Sequence, residues 1–119
     1  KLTNLLIKHK VKNIKICGHE WKMISQICTE SGALPYYTLK NKQSVIRFKK
    51  LMPHLKKPAG FSVKYNLIDE KFMKEFKRKS TEIWTWTVND AKEAKRLSLL
   101  KVDGIISDNW KNLLKLRWQ

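Results

Sequence analysis

The sequence predicts an α/β fold of parallel strands, built from about five βα units in tandem. Three observations carry that expectation. Short runs rich in β-branched and aromatic residues alternate along the chain with stretches whose apolar residues recur at helical spacing. Strands that alternate with helices assemble as βαβ units and pair in parallel. The four glycines stand isolated at Gly18, Gly32, Gly60 and Gly104, so the chain has neither a GxGxxG turn nor a Gly-rich phosphate loop. That weighs against an open nucleotide-binding sheet and leaves a barrel segment as the other arrangement of such units. The 119 residues suffice for one domain with a core but fall short of the roughly 200 that a complete (β/α)8 barrel needs.

Each element has its own signal. Leu2 to His9 reads as the end of a helix, with Leu2, Leu5 and Leu6 on one face. Ile14 to Cys17 is a short strand closed by Gly18. Trp21 to Ser31 is a helix with Ile24, Ile27 and Cys28 inward and Gly32 as its C-cap. Leu34 to Leu39 is the second strand, with Pro35 at its start, where a missing N–H does no harm. Asn41 to Lys56 is a helix through Val45, Phe48, Met52 and Leu55, kinked or ended by Pro53. Pro58-Ala59-Gly60 is a turn, and Phe61 to Tyr65 the third strand. Asp69 caps a helix carrying Phe72, Met73 and Phe76. The Trp-rich run from Ile83 is the fourth strand. Asp90 to Glu93 has the form of a capping box and opens a helix through Ala94, Leu97 and Leu100. Val102 to Ser107 holds the fifth strand. Asp108 or Asn109 then caps a last helix with Leu113, Leu114 and Leu116.

Twenty-six Lys and Arg against ten Asp and Glu give a formal net charge of +16. Such a charge attracts polyanions: nucleic acid, anionic lipid or a teichoic-acid-like polymer. Only Arg47, Arg78, Arg96 and Arg117 are arginines, whereas nucleic-acid readers lean on the bidentate guanidinium. Lys is spread over every helix, and its abundance together with Asn and Ile suits an AT-rich genome. Compositional bias with solvated helix faces is the favoured reading. Nucleic acid is disfavoured as a partner, and a membrane surface stays open. Cys17 and Cys28 are too few for a disulfide scaffold and read as buried, reduced thiols. Cys17-x-His19 lacks zinc-site spacing, and His9 and His54 are remote in sequence, so no metal ligands are assigned. No apolar run approaches the ~20 residues of a membrane span. The start at Lys1 reads as a piece cut from a longer frame, which would hide any leader or anchor. Cytoplasmic and membrane-associated locations both stay open.

Ile83-Trp84-Thr85-Trp86-Thr87-Val88-Asn89-Asp90 is followed at a helix's distance by Val102-Asp103-Gly104-Ile105-Ile106-Ser107-Asp108. This pairing resembles the last two strands of the glycerophosphodiester phosphodiesterase family, TIM-barrel metal-dependent phosphodiester hydrolases. That family carries a Trp-Thr-Val-Asn strand and then a Val-Asp-Gly-Ile-Ile-Thr-Asp strand near its C-terminus. Upstream, Ile14 to Glu20 stands where the family has a strand ending in Ser-Phe. Ala33 to Leu39 stands where it has a strand introduced by Leu-Pro. The likeness runs over nearly the whole chain and is specific from residue 83 to 108. Gly18-His19 for Ser-Phe, Lys101 for Gly, Ser107 for Thr and Trp110 for Pro are departures.

The resemblance implies a partial (β/α)8 TIM barrel, with residues 1–119 as the C-terminal portion of the barrel domain. It implies a hydrolase of lipid and glycerol metabolism that cleaves glycerophosphodiesters to glycerol 3-phosphate and an alcohol. The family uses a divalent metal, magnesium or calcium, held by acidic residues, and two histidines for acid–base work. Those groups lie in His-Arg-Gly, Pro-Glu-Asn-Thr and Glu-x-Asp patterns, none of which occurs in this sequence. No catalytic role therefore passes to His9, His19 or His54, and no metal is expected to bind this chain alone. Its part would be pocket wall and scaffold, completed by the missing N-terminal barrel half or by self-association.

Strand alternation puts Trp84, Trp86 and Val88 on one side and Thr85 and Thr87 on the other. Small Thr fits beneath helices, while bulky residues fill a barrel interior in layers. Trp84 then packs in a lower layer, as core. Trp86 stands nearer the C-terminal end, where barrel sites open, and the family resemblance implies a substrate-facing wall at this position. Lys64 closes the third strand within reach of a phosphate, or is with Tyr65 a solvated strand end. Asn89 bonds substrate, or caps the next helix beside Asp90. Trp86, Asn89 and Lys64 are the candidate substrate-binding residues. Asp103 and Asp108 read as structural, and Tyr36 and Tyr37 point to opposite faces. Two other functions fit the chain: a small basic α/β module that binds polyanions, and a degenerate barrel kept for protein interaction. A steep salt dependence of nucleic-acid binding would select the polyanion module.

Overall fold

Among the described residues from 13 onward, five strands and five helices alternate: β1 (Lys15–Gly18), α1 (Trp21–Ser31), β2 (Leu34–Leu39), α2 (Lys42–Leu51), β3 (Gly60–Lys64), α3 (Glu70–Phe76), β4 (Glu82–Trp86), α4 (Ala91–Leu99), β5 (Gly104–Ile105) and α5 (Trp110–Leu113). Single 3-10 turns lie at Met52–His54 and Tyr65–Leu67. This computed structural model describes residues 13–114, apart from the side chain at 112, together with Leu2 and Asn4. Leu2 and Asn4 are helical and exposed. The rest of the expected N-terminal helix, and Leu116, lie outside the described residues.

The strands lie in the order β1-β2-β3-β4-β5, and every neighbouring pair is parallel. A doubly wound sheet reverses its order at a switch point and carries helices on both faces. Here the order never reverses. One buried cluster joins Tyr37, Leu39, Phe61, Val63 and Ile83 of the strands to Trp21 and Cys28 of α1, Phe48 of α2, Phe76 of α3 and Leu97 of α4. These helices therefore cover the same face of the sheet. Successive right-handed crossovers in one direction produce that arrangement, and it is the wall of a (β/α)8 barrel.

Local chemistry sets the boundaries. Gly32 ends α1 with φ at 81°, and its N–H bonds the Cys28 carbonyl at 2.9 Å. Asn41 and Ser44 form a reciprocal capping box at the start of α2. Asp69 accepts from the Phe72 N–H at 2.7 Å and starts α3. On the helix-covered face Phe48 is the hub. Its ring meets Trp21 at 5.4 Å, Tyr37 at 5.2 Å and Phe61 at 5.2 Å between centroids.

Several expectations need correction. The helix predicted to reach Lys56 stops at Leu51, because Pro53 has no N–H to continue the ladder, and Met52 is left exposed. Gly60 is the first residue of β3, not part of a turn, and Tyr65 lies beyond the strand. β5 pairs over Gly104 and Ile105 only, although the Ile106 N–H still reaches the Thr85 carbonyl at 2.8 Å. Asp90 caps α4 through the Lys92 N–H, but Glu93 turns to Arg96 and closes no capping box. Asn109 is the N-cap of α5 without a side-chain bond. Cys17 is exposed, because as the register partner of Tyr36 it lies on the face of the sheet that the helices do not cover; Cys28 is buried, and neither thiol is in a disulfide. Burial raises the Cys28 pKa, and Lys56 opposes that rise.

Candidate functional site

The face turned away from the helices carries a different chemistry. Alternation along the strands places Tyr36, Thr38, Ser62, Lys64, Glu82, Trp84 and Trp86 there. The register arranges them in rows across the sheet. Tyr36, Gly60 and Glu82 form the lowest row. Thr38, Ser62, Trp84 and Gly104 form the next, and Lys64 pairs with Trp86 at the top. The two glycines are seats for rings. A Cβ at Gly104 would come within 2.1 Å of the Trp84 ring, and one at Gly60 within 2.3 Å of the Tyr36 ring. In the two lower rows, a ring thus lies over a glycine of the neighbouring strand. Trp84 is half-buried here and outside the helix-side core.

Glu82 organises the lowest row. Its Oε1 accepts from the Tyr36 hydroxyl, from Trp84 Nε1 at 3.2 Å and from Lys15 Nζ at 3.5 Å. The Tyr36 hydrogen bond, then that of Trp84, hold the Glu82 carboxyl below its ordinary 4.5. Burial, and then the carboxylate itself, push the Tyr36 phenol upward. A carboxylate with a depressed folded pKa contributes stability above its unfolded pKa and loses it as pH falls through the folded value. Thermal unfolding followed across pH should therefore show the native midpoint dropping below pH 4.5 more steeply than that of Glu82→Gln. Parallel curves would remove Glu82 as a linked group.

The upper rim gathers the strand C-terminal ends. Lys64 and Trp86 are register partners there, both half-buried. The pleat ends at Trp86. Val88 is no longer governed by the two-residue period and packs into the helix-side core at 1% exposure, against expectation. Its N–H bonds the Ile106 carbonyl at 2.9 Å. Asn89 does not cap α4. Its Oδ1 accepts from Ser107 Oγ and from the Asp108 N–H, each at 2.9 Å, which ties the loop after β4 to the loop after β5. Asp103 lies at the other end of β5, where its Oδ2 accepts from the Ile83 N–H at 2.7 Å and from Lys77 at 3.0 Å. His19 and Glu20 follow the C-terminal end of β1 and are exposed. Among the described residues no group of three or more His, Cys, Asp or Glu is placed to hold a metal ion.

Sequence reading missed Glu82 and Ser107. Alternation back from Trp84 would have placed Glu82 on the inner face; nothing local marks Ser107, whose partner lies 18 residues away.

The sequence model of the glycerophosphoryl diester phosphodiesterase family matches residues 4–112. The chain belongs to that family. The family's barrel accounts for the one-sided helices and the strand order described above. Two solved structures share the fold. One is a protein from Silicibacter pomeroyi DSS-3 provisionally named a glycerophosphoryl diester phosphodiesterase, with TM-score 0.68 and 15% identity, covering 88% of this chain and 40% of that one. The other is an Oleispira antarctica phosphodiesterase in complex with the product sn-glycerol-3-phosphate, with TM-score 0.68 and 14% identity, covering 96% of this chain and 46% of that one. At such identities the likeness speaks to the fold alone. The chain spans less than half the length of either structure. The search of curated proteins returned no match.

Proposed function

We propose that residues 1–119 are the C-terminal portion of a glycerophosphodiester phosphodiesterase barrel domain, cleaving glycerophosphodiesters to glycerol 3-phosphate and an alcohol. The observation that carries this reading is the family match over residues 4–112. The complex of a structural neighbour with sn-glycerol-3-phosphate agrees with that substrate class. In this reading the chain supplies pocket wall and scaffold. The divalent metal and the acid–base groups come from the rest of the barrel, which also covers the inner face and the free edges of β1 and β5.

Three residues at the rim have roles in this proposal. The Trp86 ring packs against glycerol or headgroup carbons. Lys64, its register partner, offers positive charge to the phosphate. Asn89 holds the two rim loops in register through Ser107 and Asp108 and adds a polar group at the pocket edge. In the full-length enzyme, Trp86→Ala is expected to lower kcat/KM for glycerophosphocholine by about ten- to a hundredfold, or about 1.4–2.7 kcal/mol. The unfolding midpoint should stay close to native. Trp84→Ala, one layer lower over Gly104, is expected instead to cost about 3–5 kcal/mol of stability once the barrel is closed around it. Unchanged kcat/KM in Trp86→Ala would remove Trp86 from the pocket wall.

A further inference from the structure

At the end of the sheet opposite Lys64 and Trp86, a groove of about 1140 Å³ runs between the C-terminal ends of α2 and α3. It passes beneath the loops that lead into β3 and β4. Phe61 and Phe76 form its floor, and Met52, 46% exposed, stands with Pro53 on its lip. Its rim carries Lys49, Lys57, Arg78 and Lys79 against the single acid Glu75. Lys49 and Glu75 pair across the groove at 2.5 Å. Lys57, Arg78 and Lys79 have no carboxylate partner among the described residues.

Basic groups at helix C-termini complement the macrodipole. That accounts for Lys49 in the last turn of α2, and for Arg78, which donates to the Lys74 and Lys77 carbonyls just past α3. It does not account for Lys57 and Lys79, which stand in the loops entering the strands, or for the apolar lip between the cations. Exposed apolar groups ringed by unpaired cations are the chemistry of a surface that lies in an anionic headgroup layer. No described helix is long and apolar enough to cross a membrane, so contact here would be peripheral.

We propose that this end of the sheet docks on an anionic lipid bilayer. Met52 and Pro53 enter the headgroup boundary, and Lys57, Arg78 and Lys79 pair with lipid phosphates. The strand C-terminal ends, with Lys64 and Trp86, then face away from the membrane.

Vesicle flotation tests this without reference to catalysis, and it separates bound protein from self-associated protein, which sinks. The chain should float with vesicles of equal parts phosphatidylcholine and phosphatidylglycerol, and not with phosphatidylcholine alone. Lys57→Glu with Lys79→Glu should lower binding at least about tenfold. Lys92→Glu with Lys95→Glu, the same charge change on α4, should leave it within about twofold. Met52→Ser should weaken it several-fold. Equal losses in the two charge variants would reduce the effect to net charge and overturn the proposal. So would an unaffected Met52→Ser, or flotation with phosphatidylcholine alone. Absence of flotation, with a double-stranded oligonucleotide bound through Lys57 and Lys79, would make the face a nucleic-acid surface instead.

Discussion

Phe48→Ala is expected to leave most of the chain unfolded at room temperature. Phe48 is fully buried and touches four aromatic rings, two of them edge-on. Those rings come from α1, β2, β3 and α3, so one side chain joins helices to sheet across half the fold. Emptying a buried Phe site costs about 3–5 kcal/mol. Edge-to-face pairs add about 0.5–1.5 kcal/mol each beyond burial, without simple additivity. A domain commonly holds about 5–15 kcal/mol in total. Against the lower part of that range, this single loss approaches the whole. Phe48→Leu keeps most of the volume and should cost about 1–2 kcal/mol. Urea unfolding followed by near-ultraviolet circular dichroism of both variants checks the ranking. An Ala variant with the native midpoint would show that helix–sheet cohesion lies elsewhere.

Phe48 also shows what kind of information the sequence held. Its helical spacing from Val45 and Leu55 marked it as inward-facing, and inward it is. The helices were legible because a 3.6-residue period is local. The cap at Asn41 was not legible in this way, because its partner is Ser44 and not the Glu or Gln of the usual capping box. β4 was legible as far as pairing extends. Beyond Trp86 the alternation rule fails at Val88, because the pleat that supports it has ended.

The misread features have partners far along the chain. Gly60 looked like a turn glycine, whereas a Tyr36 ring from the neighbouring strand requires it to be small. Glu82 stands just before the run that begins at Ile83, and only the fold brings Tyr36, Trp84 and Lys15 onto it. Asn89 looked like a cap because its neighbour Asp90 is one, yet its bonds run to the next βα loop. The barrel itself was not readable from periodicity, since singly and doubly wound sheets share the same βαβ unit. The Trp-Thr-Val-Asn and Val-Asp-Gly-Ile-Ile strands decided it. At the site, alternation was enough to put Trp86 on the inner face near the rim. Only strand register put Lys64 beside it.

Incubated with glycerophosphocholine, the 119-residue chain is expected to release glycerol 3-phosphate no faster than buffer, with or without magnesium or calcium. Phosphodiester hydrolysis needs one group to take a proton from water and another to protonate the leaving oxygen. It also needs positive charge against the growing negative charge on phosphorus-bound oxygens. At the rim, His19 and Glu20 offer one imidazole and one carboxylate, both exposed, and Lys64 offers one charge on a different strand. His54 stands in the turn after α2, at the opposite end of the sheet, and His9 lies outside the described residues. His19 and Glu20 have no third acidic, His or Cys group placed to complete a metal site among the described residues. Each positioned acid–base group contributes about 10²–10⁴-fold to rate, so losing one of a pair already takes turnover down by that factor. Losing the electrostatic partner as well takes it to background. Enzymatic detection of glycerol 3-phosphate, run beside His19→Ala and Glu20→Ala variants, checks this. Metal-dependent turnover that co-purifies with the chain and disappears in either variant would move the chemistry onto β1 and overturn the assignment of this chain to pocket wall and scaffold.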